Sequence, residues 1–176
     1  MVGTTGGDIF CWDLPGDKDS FDCDDLSSAP IKAVKAHEMG TNAISASVLE
    51  IGIHPVISIC SCGDDQSLTA LRSRVQVDMG KICALEILGK STVKEASMSA
   101  LKGVALLTSD FLVSVGYSQR LGLWHWSSVG GLELVRSISV AVADVNSLGL
   151  VSVGHSSQVV AIGGEGIEFI HLMTNE

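Results

Sequence analysis

Four stretches of this chain carry the same succession of apolar and polar positions. They are residues 4–14 (TTGGDIFCWDL), 57–71 (ISICSCGDDQSLTAL), 112–126 (LVSVGYSQRLGLWHW) and 159–172 (VVAIGGEGIEFIHL). Each holds a small-residue turn, GGD, GDD, GYS or GGE, followed by an alternating or apolar run that ends near a Trp, Leu or Phe. In the last three a second such run precedes the turn. Alternation with period two puts every other side chain on one face of a strand, and the turn residues reverse the chain. The pattern predicts a β-hairpin repeated four times. Units of this kind usually cannot bury their apolar faces alone and stack on one another.

The same reading supplies the strands around the hairpins. Strands at 8–14 and 31–36 flank a polar, acidic stretch, residues 15–29, expected to be a surface loop. The second unit has strands at 41–48, 56–62, 67–74 and 82–87. The third has strands at 101–107, 111–115, 120–126 and 132–138. The fourth has strands at 142–148, 159–163 and 167–172 and no outer strand. A four-stranded antiparallel meander of this size is one blade of a β-propeller. The unit boundaries are 1–36 (the end of a preceding blade and the acidic loop), 37–90, 91–139 and 140–176. Trp12, Leu71, Trp124 and Phe169 anchor the third strands, and Trp12 and Trp124 read as core. The predicted fold class is therefore all-β, an open arc of about three and a half propeller blades. Such an arc exposes two blade faces, so the isolated chain is expected to be marginal or aggregation-prone unless a partner or a second copy covers them. Met1 runs almost at once into a strand, the expectation for a piece of a longer chain.

Composition agrees with a folded β protein: 46% of residues are hydrophobic, 18% charged, with 19 Gly and 3 Pro. The formal net charge is −9 and the Lys and Arg residues are scattered singly. Nucleic-acid binding by this chain alone is disfavoured, because it needs a basic face. A supporting role in a complex whose other parts carry that charge stays open. Five Cys, an odd count, suit reduced thiols. Cys60 and Cys62 are two apart on one predicted strand and read as core; no second Cys/His pair has zinc-site spacing. No apolar run reaches the ~18 residues of a membrane span, and the N-terminus lacks the charged and apolar regions of a signal peptide. The expected location is cytoplasmic, with no membrane partner.

The residues that mark these units resemble the WD-repeat β-propellers: Trp12-Asp13, then His37 paired with Asp65 ahead of a third strand, then Trp124. The pattern is degenerate. The third unit has Ser118 at the turn position and Trp124-His125 in place of Trp-Asp; the fourth has Glu165 and no Trp. The phrases AHEMGTNAISA, SCGDDQSLTAL, LTSDFLVSVGYSQRLGLWHW and VVAIGGEGIEFI, in that order, are similar to the C-terminal repeats of the WD repeat-containing protein 6 family. That resemblance implies a non-catalytic scaffold supporting an FtsJ-like methyltransferase in tRNA wobble-position ribose 2′-O-methylation. The implied partners are the methyltransferase, tRNA through the complex, and other proteins. The residues carried over, Trp12, Asp13, His37, Asp65 and Trp124, are structural in such repeats.

No motif argues for chemistry on this chain. Gly89-Lys90-Ser91 ends like a phosphate-binding loop, but Ala84 stands where its first glycine belongs, and a loop between units is the simpler reading. Asp17, Asp19, Asp22, Asp24 and Asp25 lack calcium-loop spacing. Gly163–Gly166 lies between strands, as a hairpin turn does, not between strand and helix. His37 reads as a cap on its blade through Asp65; His54, His125, His155 and His171 read as isolated. The expectation is no catalytic residue, no metal and no cofactor. Other classes that fit the pattern are a WD-repeat adaptor for ubiquitin-ligase, kinase or trafficking machinery, and a truncated product without its own activity.

Overall fold

The computed structural model describes residues 1–12, 29–79, 81–127, 129–153 and 157–173. Among the described residues there is no helix, and the strands form four antiparallel sheets taken up in chain order. The first sheet is β1 (Val2–Gly3), β2 (Asp8–Cys11) and β3 (Lys32–Lys35). The second is β4 (Thr41–Glu50), β5 (Val56–Gly63), β6 (Leu68–Asp78) and β7 (Lys81–Val93). The third is β8 (Leu101–Leu106), β9 (Phe111–Gly116), β10 (Arg120–Ser127) and β11 (Gly131–Ser139). The fourth is β12 (Ala143–Ser152) and β13 (Ser157–Met173). Within each sheet, chain neighbours are sheet neighbours, so each is a meander.

The sheets stack face to face, and each apolar core lies between two consecutive sheets. Ile9 and Cys11 of the first meet Val75 and Leu85 of the second. Cys60, Cys62, Leu68 and Ala70 of the second meet Leu112, Trp124 and Trp126 of the third. Val113, Val115 and Leu121 of the third meet Val145, Val160 and Ile162 of the fourth. Successive side chains of a strand point to opposite faces. In β9, Leu112 therefore serves one core while Val113 and Val115 serve the next. Burial on both faces is why the middle strands read as apolar runs and not as clean alternation.

The first strands of neighbouring sheets approach closely enough to require glycine. A Cβ on Gly3 would stand 2.7 Å from Thr41 Cγ2, and one on Gly103 would stand 2.5 Å from Leu148 Cβ. Gly103→Val should force β8 and β12 apart and lower stability by about 1–3 kcal/mol, the usual cost of overpacking. A urea midpoint equal to that of the parent chain would contradict this contact.

Three local readings of the sequence change. Gly89-Lys90-Ser91 is not a loop: it lies inside β7, which stays paired with β6 as far as Val93. A register shift leaves the half-exposed Leu88 unpaired beside Gly89, and this bulge lets the strand run past the boundary placed at 90. β1 was not foreseen, being only two residues long. Phe169, expected as the anchor of its strand, is exposed, while Ile170 and Leu172 pack on the third sheet's core. β13 also folds back on itself. Ser157 Oγ meets His171 Nε2, although fourteen extended residues span about 46 Å. The reversal centres on Gly164, next to Gly166 at φ 116°, in agreement with the turn expected there.

Candidate functional site

The polar groups with the densest mutual bonding sit between the first and second sheets. His37 follows β3 and is 2% exposed. Its Nε2 lies 2.9 Å from Ser61 Oγ on β5. Its Nδ1 lies 3.1 Å from Asp65 Oδ1 and 2.8 Å from Ser67 Oγ, both from the turn into β6. Asp65 also accepts from the Glu38 N–H (2.8 Å), the Ser67 N–H (3.1 Å) and the Ser67 O–H (2.7 Å). Thr69 Oγ1 donates to the Ala36 carbonyl at 3.0 Å. Gln66, at φ 63°, gives the turn the left-handed residue that brings Asp65 back over His37.

Electrostatics settles the protonation. Burial pushes the His37 imidazole below its ordinary value, against the pull of Asp65, so the ring is neutral at pH 7. Burial would raise the Asp65 carboxyl, but hydrogen bonds from Glu38 and Ser67 outweigh it and hold the group below the usual range. A carboxylate only accepts, so the partners assign the proton to Nδ1, leaving Nε2 to accept from the Ser61 hydroxyl.

Ser61, His37 and Asp65 thus have the hydrogen-bond order of a nucleophile, base and orienting acid. Sequence reasoning saw no such set, because Ser61 is one of several serines on a buried strand and nothing in its spacing marks it. Ser61 is 1% exposed. A hydroxyl sealed between two sheets cannot reach a substrate carbonyl, and the set works as a clamp tying the β3–β4 connection to the β5–β6 turn. A cleft of about 450 Å³ opens on its Asp65 side, lined by Lys35, Glu38, Ser67, Lys90, Lys94 and Glu95. Its charges are mixed, three Lys against three carboxylates.

The neighbouring Asp64 faces the other way. It accepts from Lys102 Nζ (2.8 Å) and Asn42 Nδ2 (2.7 Å), which hold its carboxyl below the usual range. The Asp64-Asp65 doublet therefore links the second sheet to the sheets on both sides of it.

The third sheet carries the complementary half of this arrangement. Ser61 and Ser114, Asp65 and Ser118, and Leu71 and Trp124 are each 53 residues apart. Gln119, also 53 residues beyond Gln66, repeats its left-handed turn at φ 53°. Trp124 Nε1 donates to Ser114 Oγ at 2.9 Å, a bond Leu71 cannot make. Where the second sheet has His37 and Asp65, the third has Ser97 and Ser118, hydroxyl to hydroxyl at 3.0 Å. Two serines fill less space than a histidine and an aspartate, and a cleft of about 510 Å³ lies there, against Trp124 and Arg120. No protein-family model matches the chain, and no curated protein matches it.

The remaining candidates fall into place singly. Trp12 is half-buried, beside Phe10 at 5.8 Å between ring centroids, and belongs to none of the three cores, contrary to the core position expected of it. Phe10 alternates with the core residues Ile9 and Cys11 and so lies on the outer face of the first sheet. Asp13, the acidic stretch 15–28 with its five Asp, and His155 lie outside the described residues. Trp126 is buried with Trp124, and the Arg72 guanidinium stacks on it at 4.5 Å. His54 is exposed; His125 packs on Phe111 and His171 meets Ser157, so neither of these is isolated. Burial pushes the Cys60 and Cys62 thiols up to about 12, which makes them poor nucleophiles. Among the described residues no three His, Cys, Asp or Glu gather as a metal site, and no helix is long and apolar enough to cross a membrane.

Proposed function

We propose that this chain is a non-catalytic WD-repeat scaffold that supports an FtsJ-like methyltransferase in tRNA wobble-position ribose 2′-O-methylation. In this reading the four stacked meanders are propeller blades forming an open arc, and the chain works in the cytoplasm. The observation that carries the blade reading is the shared register of the second and third sheets. The His–Asp–Ser clamp of one and the Trp–Ser bond of the other occupy matching positions around a common turn. Together they make up one complete set of the bonds that WD repeats use. The functional reading rests on the phrases GDDQSL and SQRLGLWHW in tandem. The sealed Ser61 hydroxyl favours a scaffold over a hydrolase, and the net charge of −9 favours holding the enzyme over gripping tRNA alone.

The test is affinity purification of the tagged chain from its own cells, with wobble ribose methylation measured after deletion of its gene. Recovery of an FtsJ-like methyltransferase and loss of the modification are expected. Normal methylation after deletion would sink the proposal. Recovery of a ubiquitin ligase or kinase without any methyltransferase would transfer the chain to the adaptor class.

A further inference from the structure

The two ends of the stack differ from its interior. Each inner sheet is covered on both faces, whereas no described residue packs on the outer face of the fourth sheet. Val151 (60% exposed), Ile167 (71%), Phe169 (69%) and Met173 (73%) lie there in the open. They alternate with Val160, Ile162, Ile170 and Leu172, which face the third sheet. A contiguous apolar sheet face of this kind is a contact surface. At the other end, the outer face of the first sheet presents Phe10 and, opposite it on β1, Val2 at 53% exposure.

We propose that these two faces bind each other between copies, the fourth sheet of one molecule packing head-to-tail on the first sheet of a second. Two observations select this occupant. The first is continuity. All three internal interfaces are made the same way, the leading face of one sheet on the trailing face of the next, and a second copy repeats that contact once more. The second is charge, counted by face. The fourth sheet's exposed charged side chains away from the third sheet are the acidic Asp144 and Glu165, Glu168 having the inward parity of Ile170. The first sheet's outer face carries Lys35 opposite Asp8, Lys32 facing inward opposite Cys11. A symmetric pairing of two fourth sheets would set acid against acid; the head-to-tail pairing sets it against a face where Lys35 offsets Asp8. Such a contact is heterologous and produces a ring where its rotation closes and a chain of copies where it does not.

Sedimentation of the full chain over a range of concentrations tests this, with one substitution on each face. Phe169→Glu blocks the fourth sheet and Phe10→Glu the first; Val2→Glu replaces the latter if Phe10→Glu disturbs the circular dichroism spectrum. The parent chain should associate as its concentration rises, and each variant alone should stay monomeric. An equal mixture of the two variants should form dimers and nothing larger, since one good face remains on each partner. Three results would overturn the proposal: a parent chain monomeric throughout, association that survives Phe169→Glu, or association of the first-face variant by itself. The last would mean symmetric pairing of fourth sheets. None of these outcomes bears on methyltransferase binding.

Discussion

Trp124→Ala should be the most damaging single substitution in this chain, lowering unfolding stability by roughly 3–5 kcal/mol, the range for truncating a buried aromatic. Trp124 is 4% exposed and sits in the core between the second and third sheets with Cys60, Leu68 and Leu112. Its loss opens a cavity that joins the cleft already present beside Ser97 and Ser118. It also strands Ser114, 2% exposed, whose hydroxyl accepts from the indole N–H. Trp124→Phe separates the two effects. It keeps most of the buried area and removes only the hydrogen bond, at about 1–3 kcal/mol. Urea melts followed by far-ultraviolet circular dichroism measure both. Equal effects from Ala and Phe would mean that the hydrogen bond, not the packing, carries this position.

Asp65→Ala should cost about 1–3 kcal/mol, because it removes the acceptor shared by the Glu38 N–H, the Ser67 N–H and O–H and the His37 ring, leaving the ring only Ser67 Oγ. It should also change the response to acid. In the parent chain, His37 is held below its ordinary value of 6.5, chiefly by burial. The unfolded chain therefore takes up that proton first, and stability falls as pH drops below 6.5 toward the folded-state value. Asp65 adds a second step. Burial opposes its ionisation, but its hydrogen bonds hold it below the ordinary 3.8. Its contribution is complete above that value and is lost as pH falls through the folded-state value. Urea midpoints from pH 8 to pH 3 should decline in these two stages. Asp65→Ala should shrink the lower one, to which Asp64 also contributes, and keep the upper, whereas His37→Gln should lose the upper. A flat profile from pH 8 to pH 5 would show that His37 is not held neutral.

The strand content was legible because alternation and small-residue turns are local signals. So was the pairing of His37 with Asp65, since a turn Asp and a histidine before the preceding meander are conspicuous residue types. The serines that complete the network were not. Ser61, Ser67, Ser97 and Ser114 are ordinary in a β protein, and only the stacking of sheets decides which hydroxyl meets a ring nitrogen. Trp12 misled for a related reason: a tryptophan at a strand end suggests core, but the parity of β2 gives the inner face to Ile9 and Cys11. Phe169 failed by a single residue. Around the glycines at 163–166 the register is free to slip, and one step exchanges the two faces of a strand. At Gly89 a glycine and a lysine suggested an interruption, where a bulge lets the edge strand continue.

No sheet in this molecule owns a core; each core is the joint property of two neighbours. Cohesion is then a nearest-neighbour quantity, as in a stack of plates, each plate held only by those above and below it. The second and third sheets are each gripped twice, the first and fourth once. The ends are the natural sites of partial opening, and the centre, with Trp124, Trp126 and the doublet Asp64-Asp65, is the part that opens last.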